Sequence, residues 1–193
     1  MKFKLREARF DATSSQKYSS AKTAMANANR ARNKGATPKL YTSVNFSSGN
    51  NLDYGCGTPD TVKVVDEYLK SQGVKNYHYD KTYFPDTKVF KDNFYDSVTA
   101  SNLLNVVPEN VREEIIQNAY DVLKPGGKFY VTVNYVKDYV RDETGKKVPS
   151  GVAAEMDKDD SYQANLGASK YIEEIKKIFK NVNSRKGVLI AEK

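Results

Sequence analysis

The chain has 193 residues, of which 39% are hydrophobic and 28% are charged, and its formal net charge is +7. This length suits one domain with a sizeable core, and apolar runs of only a few residues exclude a membrane span. The single cysteine excludes an internal disulfide, and one histidine argues against a metal centre. Because charges occur throughout the first ten residues, we expect no signal peptide. The single cysteine fits a reducing compartment, so we expect a cytoplasmic protein, with no membrane contact and no bound metal.

The positive charge is concentrated at the beginning of the chain. Residues 1–41 contain ten basic and two acidic side chains, a net of +8, and the rest contains 21 basic and 22 acidic ones, a net of −1. We therefore predict two regions: a basic, partly helical arm over residues 1–49 and a domain over residues 50–193. Three roles for the arm stay open: contact with DNA or RNA phosphates, a solvated extension, or a lid over a ligand.

Strands and helices alternate from residue 51 onward. The predicted strands cover residues 51–54, 74–79, 95–100, 128–135, 181–183 and 188–191. The predicted helices run from a Thr58 cap to Gly73, from Pro108 to the Pro-Gly-Gly turn at 125–127, and over residues 168–179. Residues 136–165 are irregular apart from a hairpin turn at 142–145. This order predicts a doubly wound α/β fold with a mostly parallel sheet, and the closely spaced last two strands predict an antiparallel edge.

A glycine-rich turn follows the first predicted strand and opens the first of these helices. Gly55 and Gly57 allow backbone N–H groups to approach a ligand, and the start of the helix favours an anionic group. Asp80 closes the second strand, where a carboxylate can accept hydrogen bonds from the ribose hydroxyls of an adenosine. The alternatives are an ordinary tight turn for the glycines and a loop cap for Asp80.

Residues 50–193 resemble the class I S-adenosylmethionine-dependent methyltransferases. Residues 53–57 look like the first motif of that family, an acid followed by Gly-x-Gly, and Tyr79-Asp80 is similar to its ribose-binding acid. Residues 123–129 look like its LKPGG turn before the fifth strand. Two departures are that Pro59 occupies the usual third glycine position and that only 13 residues separate Asp80 from Phe94. The family's third strand and its helix are therefore expected to be shortened or missing.

The resemblance implies S-adenosylmethionine as the cofactor and an in-line transfer of its methyl group. It also implies a role for each residue at the strand ends. Gly55 and Gly57 would approach the methionine portion, Asp53 would bind the ammonium group, and Asp80 would bind the ribose. The remaining expected cofactor contacts are Ser101 and Asn102 beside the methyl group and, from the arm, Lys22 at the carboxylate.

Catalytic side chains are less well defined by the sequence. Asn102 beside the methyl group and Tyr135 after the fourth predicted strand are the candidates, with Asp138 as a further one. We interpret Cys56 as a small residue that fits a tight loop and not as a nucleophile. His78 is interpreted as a satisfied side chain at the rim of the core.

We interpret the chain as a monomeric or homodimeric methyltransferase that acts on nucleic acid or on a target associated with it. Residues 101–104 lack the Asn-Pro-Pro-Tyr type of sequence, and the sole cysteine lies in the glycine loop, so two common routes of base methylation are disfavoured. The alternatives are methylation of a small molecule and a non-catalytic nucleic-acid-binding or regulatory protein with a vestigial core. A nicotinamide-dependent oxidoreductase fits less well, because Asp53 precedes the glycines and a Pro-Gly-Gly turn follows.

Overall fold

The computed structural model describes residues 37–133, 139–141, 147–149, 164 and 166–193. The helices within these residues are α1 (Lys39–Ser43), α2 (Pro59–Ser71), α3 (Glu109–Val122) and α4 (Ala168–Lys176). The strands are β1 (Gly49–Tyr54), β2 (Val74–Tyr79), β3 (Tyr95–Ser101), β4 (Leu123–Thr132), β5 (Tyr139–Arg141), β6 (Lys147–Pro149), β7 (Asn181–Arg185) and β8 (Val188–Glu192). No helix in these ranges is long and apolar enough to cross a membrane.

Six of the strands form one sheet in the order β2-β1-β3-β4-β8-β7. Strands β1 to β4 pair in parallel, and β8 pairs antiparallel with both β4 and β7. The predicted α/β class, the mostly parallel sheet and the antiparallel edge are therefore confirmed.

The strand order reverses between β1 and β3. From β1 the chain passes through α2 to β2 on one side, and from β3 it passes through α3 to β4 on the other side. These right-handed crossovers run in opposite directions, so they place α2 and α3 on opposite faces of the sheet. In sheets of this kind, ligands bind outside the carboxyl ends of the strands at such a reversal. That position lies beyond Tyr54 on β1 and Ser101 on β3.

Each face of the sheet has its own apolar core. The short helix α1 and the longer α2 cover one face. Leu40 and Leu69 are fully buried there, and they belong to the same cluster as Tyr130 from β4. The other face is covered by α3 and α4, with Ile116 and Ile175 fully buried against the strands. Because α1 belongs to this packing, the folded domain begins before residue 49, inside the segment that charge alone groups with the arm.

The sheet is shortened beyond β2, as the spacing after Asp80 predicts. Among the described strands, β2 is an edge, and a single bridge between Asp80 and Phe84 and a 3-10 turn at Thr87–Val89 fill the connection to β3. Phe90 replaces the missing layer: it is 2% exposed, and its ring packs edge-on against the rings of Tyr54 and Tyr79, with centroids 5.1 and 4.7 Å away. One buried aromatic side chain thus closes this side of the core.

Local details differ from the sequence predictions at three places. Thr58 precedes α2 in extended conformation, but its hydroxyl lies 3.3 Å from that of Thr61 and makes no capping bond. Helix α3 ends at Val122, and Leu123, which the sequence places in the helix, already begins β4.

The Pro-Gly-Gly turn lies inside β4, where the pairing with β3 shifts register. A Cβ on Gly127 would approach both Leu123 Cδ2 and the Lys124 carbonyl oxygen to 2.9 Å, so this irregularity requires glycine.

The predicted hairpin in the segment after β4 is supported by the pairing on either side of it. Strands β5 and β6 pair antiparallel from Tyr139 opposite Pro149 to Arg141 opposite Lys147. Residues 142–145, which form the predicted turn, lie outside the described residues.

Candidate functional site

The loop after β1 turns sharply at two glycines. Gly55 and Gly57 both have a φ of 75°, in the left-handed region that favours glycine. The amides of Gly55 and Cys56 donate to the Tyr79 carbonyl oxygen at 2.7 and 3.2 Å, which fixes the loop to the end of β2. A Cβ on Gly55 would lie 2.8 Å from Leu103 Cδ1, whereas a Cβ on Gly57 would meet nothing within 4 Å. The loop therefore packs against the β3–α3 connection at Gly55 and leaves open space at Gly57.

Asp80 lies beside this loop and holds it in place. Its Oδ2 accepts a hydrogen bond from the Gly57 amide at 3.1 Å. Its Oδ1 accepts from the amides of Thr82 and Tyr83 at 2.9 and 3.1 Å. One carboxylate thus joins the glycine loop to the turn after β2. The sequence places Asp80 at the end of the strand, but it does not show these three backbone bonds.

Asp53 is the unusual group of the site. It lies near the carboxyl end of β1, it is 2% exposed, and its Oδ2 has no hydrogen-bond partner in the described part of the chain. Burial raises the pKa of this carboxyl group to about 6, although the Tyr41 hydroxyl and the charge of His78 act in the opposite direction. Burying an unpaired carboxylate is costly. The ionised form of this carboxyl group is therefore only partly compensated by the described residues.

Polar side chains continue from Asp53 across the same face of the sheet. Asp53 lies opposite Thr99 on β3, and Thr99 Oγ1 accepts a hydrogen bond from Asn51 Nδ2 at 3.0 Å. Asn51 Nδ2 also donates to Asn76 Oδ1 at 2.8 Å, and Ser97 Oγ donates to Asn51 Oδ1 at 2.8 Å. Polar residues in central parallel strands give no periodic signal, and for that reason the sequence did not indicate this network.

The loop after β3 forms the other side of the crevice. Asn102 has a positive φ of 54°, and its amide donates to the Thr132 carbonyl oxygen at 2.8 Å. Ser101 Oγ lies 3.4 Å from Thr132 Oγ1. Because Leu103 contacts Gly55, this loop meets the glycine loop directly. The structure therefore brings both predicted residues, Ser101 and Asn102, to the same crevice as the glycines.

Cys56 and His78 are structural side chains, in agreement with their interpretation from the sequence. Burial and the charges of Asp53 and Asp80 raise the pKa of the Cys56 thiol far above its usual range, which disfavours the nucleophilic thiolate. His78 Nε2 lies 2.8 Å from Asp66 Oδ1 on α2, so this ring is a satisfied side chain at the rim. Lys22, Tyr135 and Asp138 lie outside the described residues.

A sequence profile of one family, described as "Methyltransferase domain", matches residues 58–131. This range begins at Thr58, directly after the glycine loop, and ends within β4. Over these residues the chain is similar to that methyltransferase domain.

Several solved structures share the fold of this chain at low sequence identity. One is a Thermotoga maritima protein described as a possible histamine N-methyltransferase, with a TM-score of 0.50 and 15% identity over 88% of this chain and 96% of that one. Human N-acetylserotonin methyltransferase, solved with S-adenosylmethionine, has a TM-score of 0.52 and 15% identity over 80% and 50% of the two chains. The Burkholderia thailandensis 1,6-didemethyltoxoflavin-N1-methyltransferase has a TM-score of 0.53 and 13% identity over 97% and 83%. The search of curated proteins finds no match to this sequence.

Proposed function

We propose that the chain is an S-adenosylmethionine-dependent methyltransferase, which holds the methionine end of its cofactor at Asp53 and the glycine loop, and the adenosine end at Asp80. The observation that carries this proposal is the buried, unpartnered Oδ2 of Asp53 at the reversal point of the sheet. When bound, S-adenosylmethionine supplies a methyl group already activated on a cationic sulfur, so the chain mainly binds and orients.

The charge of Asp53 selects the ammonium group as its partner. A buried carboxylate is stabilised by a cation that approaches within a few ångströms. The open space at Gly57 and the positive φ values of both glycines let a ligand come close to the loop backbone there. An ammonium group at Asp53 would compensate the charge that the folded protein leaves unpaired.

The Asp80 carboxylate has room to accept a hydrogen bond from one ribose hydroxyl, but not from two. A carboxylate offers about four acceptor positions, and the amides of Gly57, Thr82 and Tyr83 occupy three of them here. We therefore propose that Asp80 accepts a single hydroxyl hydrogen bond and that its other contacts preorganise the loop.

Replacing Asp80 with alanine is expected to weaken S-adenosylmethionine binding by about 1–3 kcal/mol, because charged hydrogen bonds are lost. Titration calorimetry on the intact chain would measure this loss. The matched control is Asp86→Ala, an exposed acid of the same connection that caps the Lys88 amide at 3.0 Å and should leave affinity unchanged.

The direct contact of Asp80 with ribose can be separated from its effect on the loop. For a cofactor analogue that lacks both ribose hydroxyls, Asp80→Ala should cause a smaller loss of affinity than it does for S-adenosylmethionine, because only the contribution of the loop remains. An equally large loss for the analogue would assign Asp80 to loop structure alone.

For the acceptor, we propose nucleic acid. Support comes from the net charge of +8 over residues 1–41, since clustered basic groups bind phosphates. A small molecule is the second candidate, because the three neighbours above are named for histamine, N-acetylserotonin and 1,6-didemethyltoxoflavin. At 13–15% identity that likeness concerns the fold, so the charge of the arm carries more weight.

A transfer assay with S-adenosylmethionine labelled in its methyl group distinguishes the acceptors. The intact chain is incubated with separate DNA, RNA, protein and low-molecular-mass fractions of a cell extract. Label in the DNA or RNA fraction, removed by nuclease, is the expected result. Label in the low-molecular-mass fraction alone would replace nucleic acid by the second candidate.

If the basic arm binds phosphates, the affinity for nucleic acid should depend on the salt concentration. Nine basic residues precede α1: Lys2, Lys4, Arg6, Arg9, Lys17, Lys22, Arg30, Arg32 and Lys34. Replacing all nine with glutamine, which leaves buried Leu40 and Tyr41 in place, should flatten the dependence of nucleic-acid affinity on salt. Fluorescence anisotropy over a series of salt concentrations would measure the slope. In the control, exposed Lys176, Lys180 and Lys186 are replaced; an equal effect there, or an unchanged slope in the arm variant, contradicts the proposal.

A further inference from the structure

The chain that follows β2 pairs with this strand only at its end. Asp80, directly after β2, exchanges two backbone hydrogen bonds with Phe84: the Asp80 amide donates to the Phe84 carbonyl oxygen at 3.1 Å, and the Phe84 amide donates in return at 2.9 Å. Pro85, which lacks an amide donor, comes next, and the chain then enters the 3-10 turn at Thr87–Val89. The chain thus begins a further strand beside β2 and leaves it after one residue.

The backbone of the rest of β2 is open on the same side. Tyr79 directs its carbonyl oxygen inward, to the amides of the glycine loop, whereas Asp80 directs its backbone groups outward. Because successive residues of a strand alternate in this direction, Asn76 and His78 also direct their N–H and C=O groups outward. Within the described ranges these outward groups have no hydrogen-bond partner. They can therefore pair with another extended backbone.

The open edge is held in place from the α2 side. Asp66 Oδ1 accepts a hydrogen bond from Asn76 Nδ2 at 2.9 Å and lies 2.8 Å from His78 Nε2. One carboxylate on α2 thus fixes both residues whose backbone groups point outward. An edge that is already ordered loses little conformational entropy when a further strand pairs with it.

The other face of the same edge carries two ammonium groups without an acidic partner. The Nζ atoms of Lys75 and Lys91 lie 5.1 and 5.8 Å from the centre of the Tyr77 ring. Both lysines are exposed, and neither forms an ion pair with any residue that the structure describes. The half-buried rings of Tyr77 and Phe94 meet edge-on beneath them, with centroids 5.5 Å apart. This face therefore favours carboxylates carried on an apolar backbone of contacts.

We propose that β2 is a docking edge for an acidic, extended peptide segment of another protein, which adds a strand beside residues 74–78. The peptide backbone pairs with the outward groups of Asn76 and His78, and its carboxylates reach Lys75 and Lys91. A nucleic acid strand fits less well, because its phosphates accept hydrogen bonds but offer no regular donors to the open carbonyl groups. This proposal does not depend on the cofactor or acceptor proposed above.

Binding of designed peptides to the intact chain tests the proposal. The probe is a fluorescein-labelled peptide of alternating glutamate and valine, about seven residues long, which is the length of an ordinary strand. Fluorescence anisotropy is measured at about 0.15 M salt, where long-range attraction is screened. The wild type should bind this peptide and not the equivalent peptide of lysine and valine. Equal binding of both peptides, or binding of neither, overturns the proposal.

Charge reversal at the edge tests the role of the two lysines. The Lys75→Glu, Lys91→Glu variant should bind the glutamate peptide at least about tenfold more weakly and should gain affinity for the lysine peptide. The matched control is Lys176→Glu, Lys180→Glu, which reverses two exposed charges at the end of α4 and should change neither affinity. An equal loss in the control would show attraction to a basic protein in general and would contradict a docking edge.

Removal of the peptide donors separates backbone pairing from charge. Methylation of every amide nitrogen of the glutamate peptide keeps all its carboxylates and removes all its N–H donors, so binding should be lost. If the methylated peptide binds as well as the original one and a single-stranded DNA oligonucleotide displaces it, the lysines form a contact for polyanions and the strand addition is refuted.

Hydrogen exchange shows which side of β2 is occupied. On addition of the glutamate peptide, the amides of Asn76 and His78 should exchange more slowly, whereas those of Lys75 and Tyr77, which face β1, should keep their rates. Unchanged rates at Asn76 and His78 with bound peptide would rule out pairing at this edge. Slower exchange of the same two amides on raising the protein concentration alone would assign the edge to a second copy of the chain instead.

Discussion

Replacing Asp53 with asparagine is expected to stabilise the cofactor-free protein above pH 6 while removing most of its affinity for S-adenosylmethionine. Burial raises the pKa of Asp53 from 3.8 to about 6, a difference of roughly two units. Each unit corresponds to about 1.4 kcal/mol, so the ionised group costs the folded state up to about 3 kcal/mol. Asparagine is uncharged at this 2% exposed position and avoids that cost.

The sign of the pH dependence follows from the raised pKa. Well below pH 3.8 the carboxyl group is protonated in both the folded and the unfolded state, and it costs nothing electrostatically. As the pH rises through 3.8 towards about 6, the unfolded state ionises first, and wild-type stability declines relative to the variant. Well above pH 6 both states are ionised, and the difference is complete and constant.

Urea unfolding of both proteins at intervals from pH 4 to pH 8 would measure this difference. The control is Asp86→Asn, which changes an exposed carboxylate and should show no such growth with pH. A stability difference between Asp53→Asn and the wild type that is independent of pH would refute the raised pKa. Calorimetry at pH 8 supplies the second half of the prediction, a loss of cofactor affinity by at least about tenfold.

Removing Glu174 is expected to destabilise the fold strongly. Its carboxylate receives two bonds from Arg112, with Nε to Oε2 at 2.7 Å and Nη2 to Oε1 at 3.0 Å, and the side chains are 3% and 0% exposed. Arg112 Nη1 also donates to the Val107 carbonyl oxygen at 2.8 Å. Glu174→Ala leaves a buried guanidinium without its counter-charge, which costs about 3–5 kcal/mol.

Urea unfolding at pH 7 would measure that loss. The Arg112→Met, Glu174→Met double variant removes both charges and should be much more stable than Glu174→Ala. Glu113→Ala is the surface control: it breaks the exposed 2.7 Å pair with Lys177 and should cost less than about 1 kcal/mol. A loss below about 1 kcal/mol in Glu174→Ala would mean that the buried pair does not join α3 to α4 in the way the geometry indicates.

The sequence predicts the parts of this protein that depend on local chemistry. Gly55, Gly57 and Asp80 stand at strand ends, where backbone conformation restricts the residue type, and their positions in the crevice follow from the alternation of strands and helices. The shortened side of the sheet also follows from counting the residues after Asp80.

The remaining features depend on contacts between distant residues. Arg112 is charged, so the helical pattern predicts an exposed side chain. It is buried because it pairs with Glu174, which lies 62 residues further along the chain. Tyr41 lies in a helix of five residues, too short for a hydrophobic period, and next to a strongly basic stretch. Asn51 is polar in a central strand, and only its neighbours on β2 and β3 explain why it is buried.

The shortened sheet also affects how copies of the protein meet one another. An edge strand offers unpaired N–H and C=O groups to any passing chain, and β2 is such an edge among the described strands. Lys75 lies on β2 with its ammonium group 5.1 Å from the centre of the Tyr77 ring, and the ammonium group of Lys91 lies 4.8 Å from that of Phe94. Lysine side chains beside an exposed edge strand disfavour its pairing with an identical edge, so the border left by the missing sheet layer carries a feature that opposes edge-to-edge association.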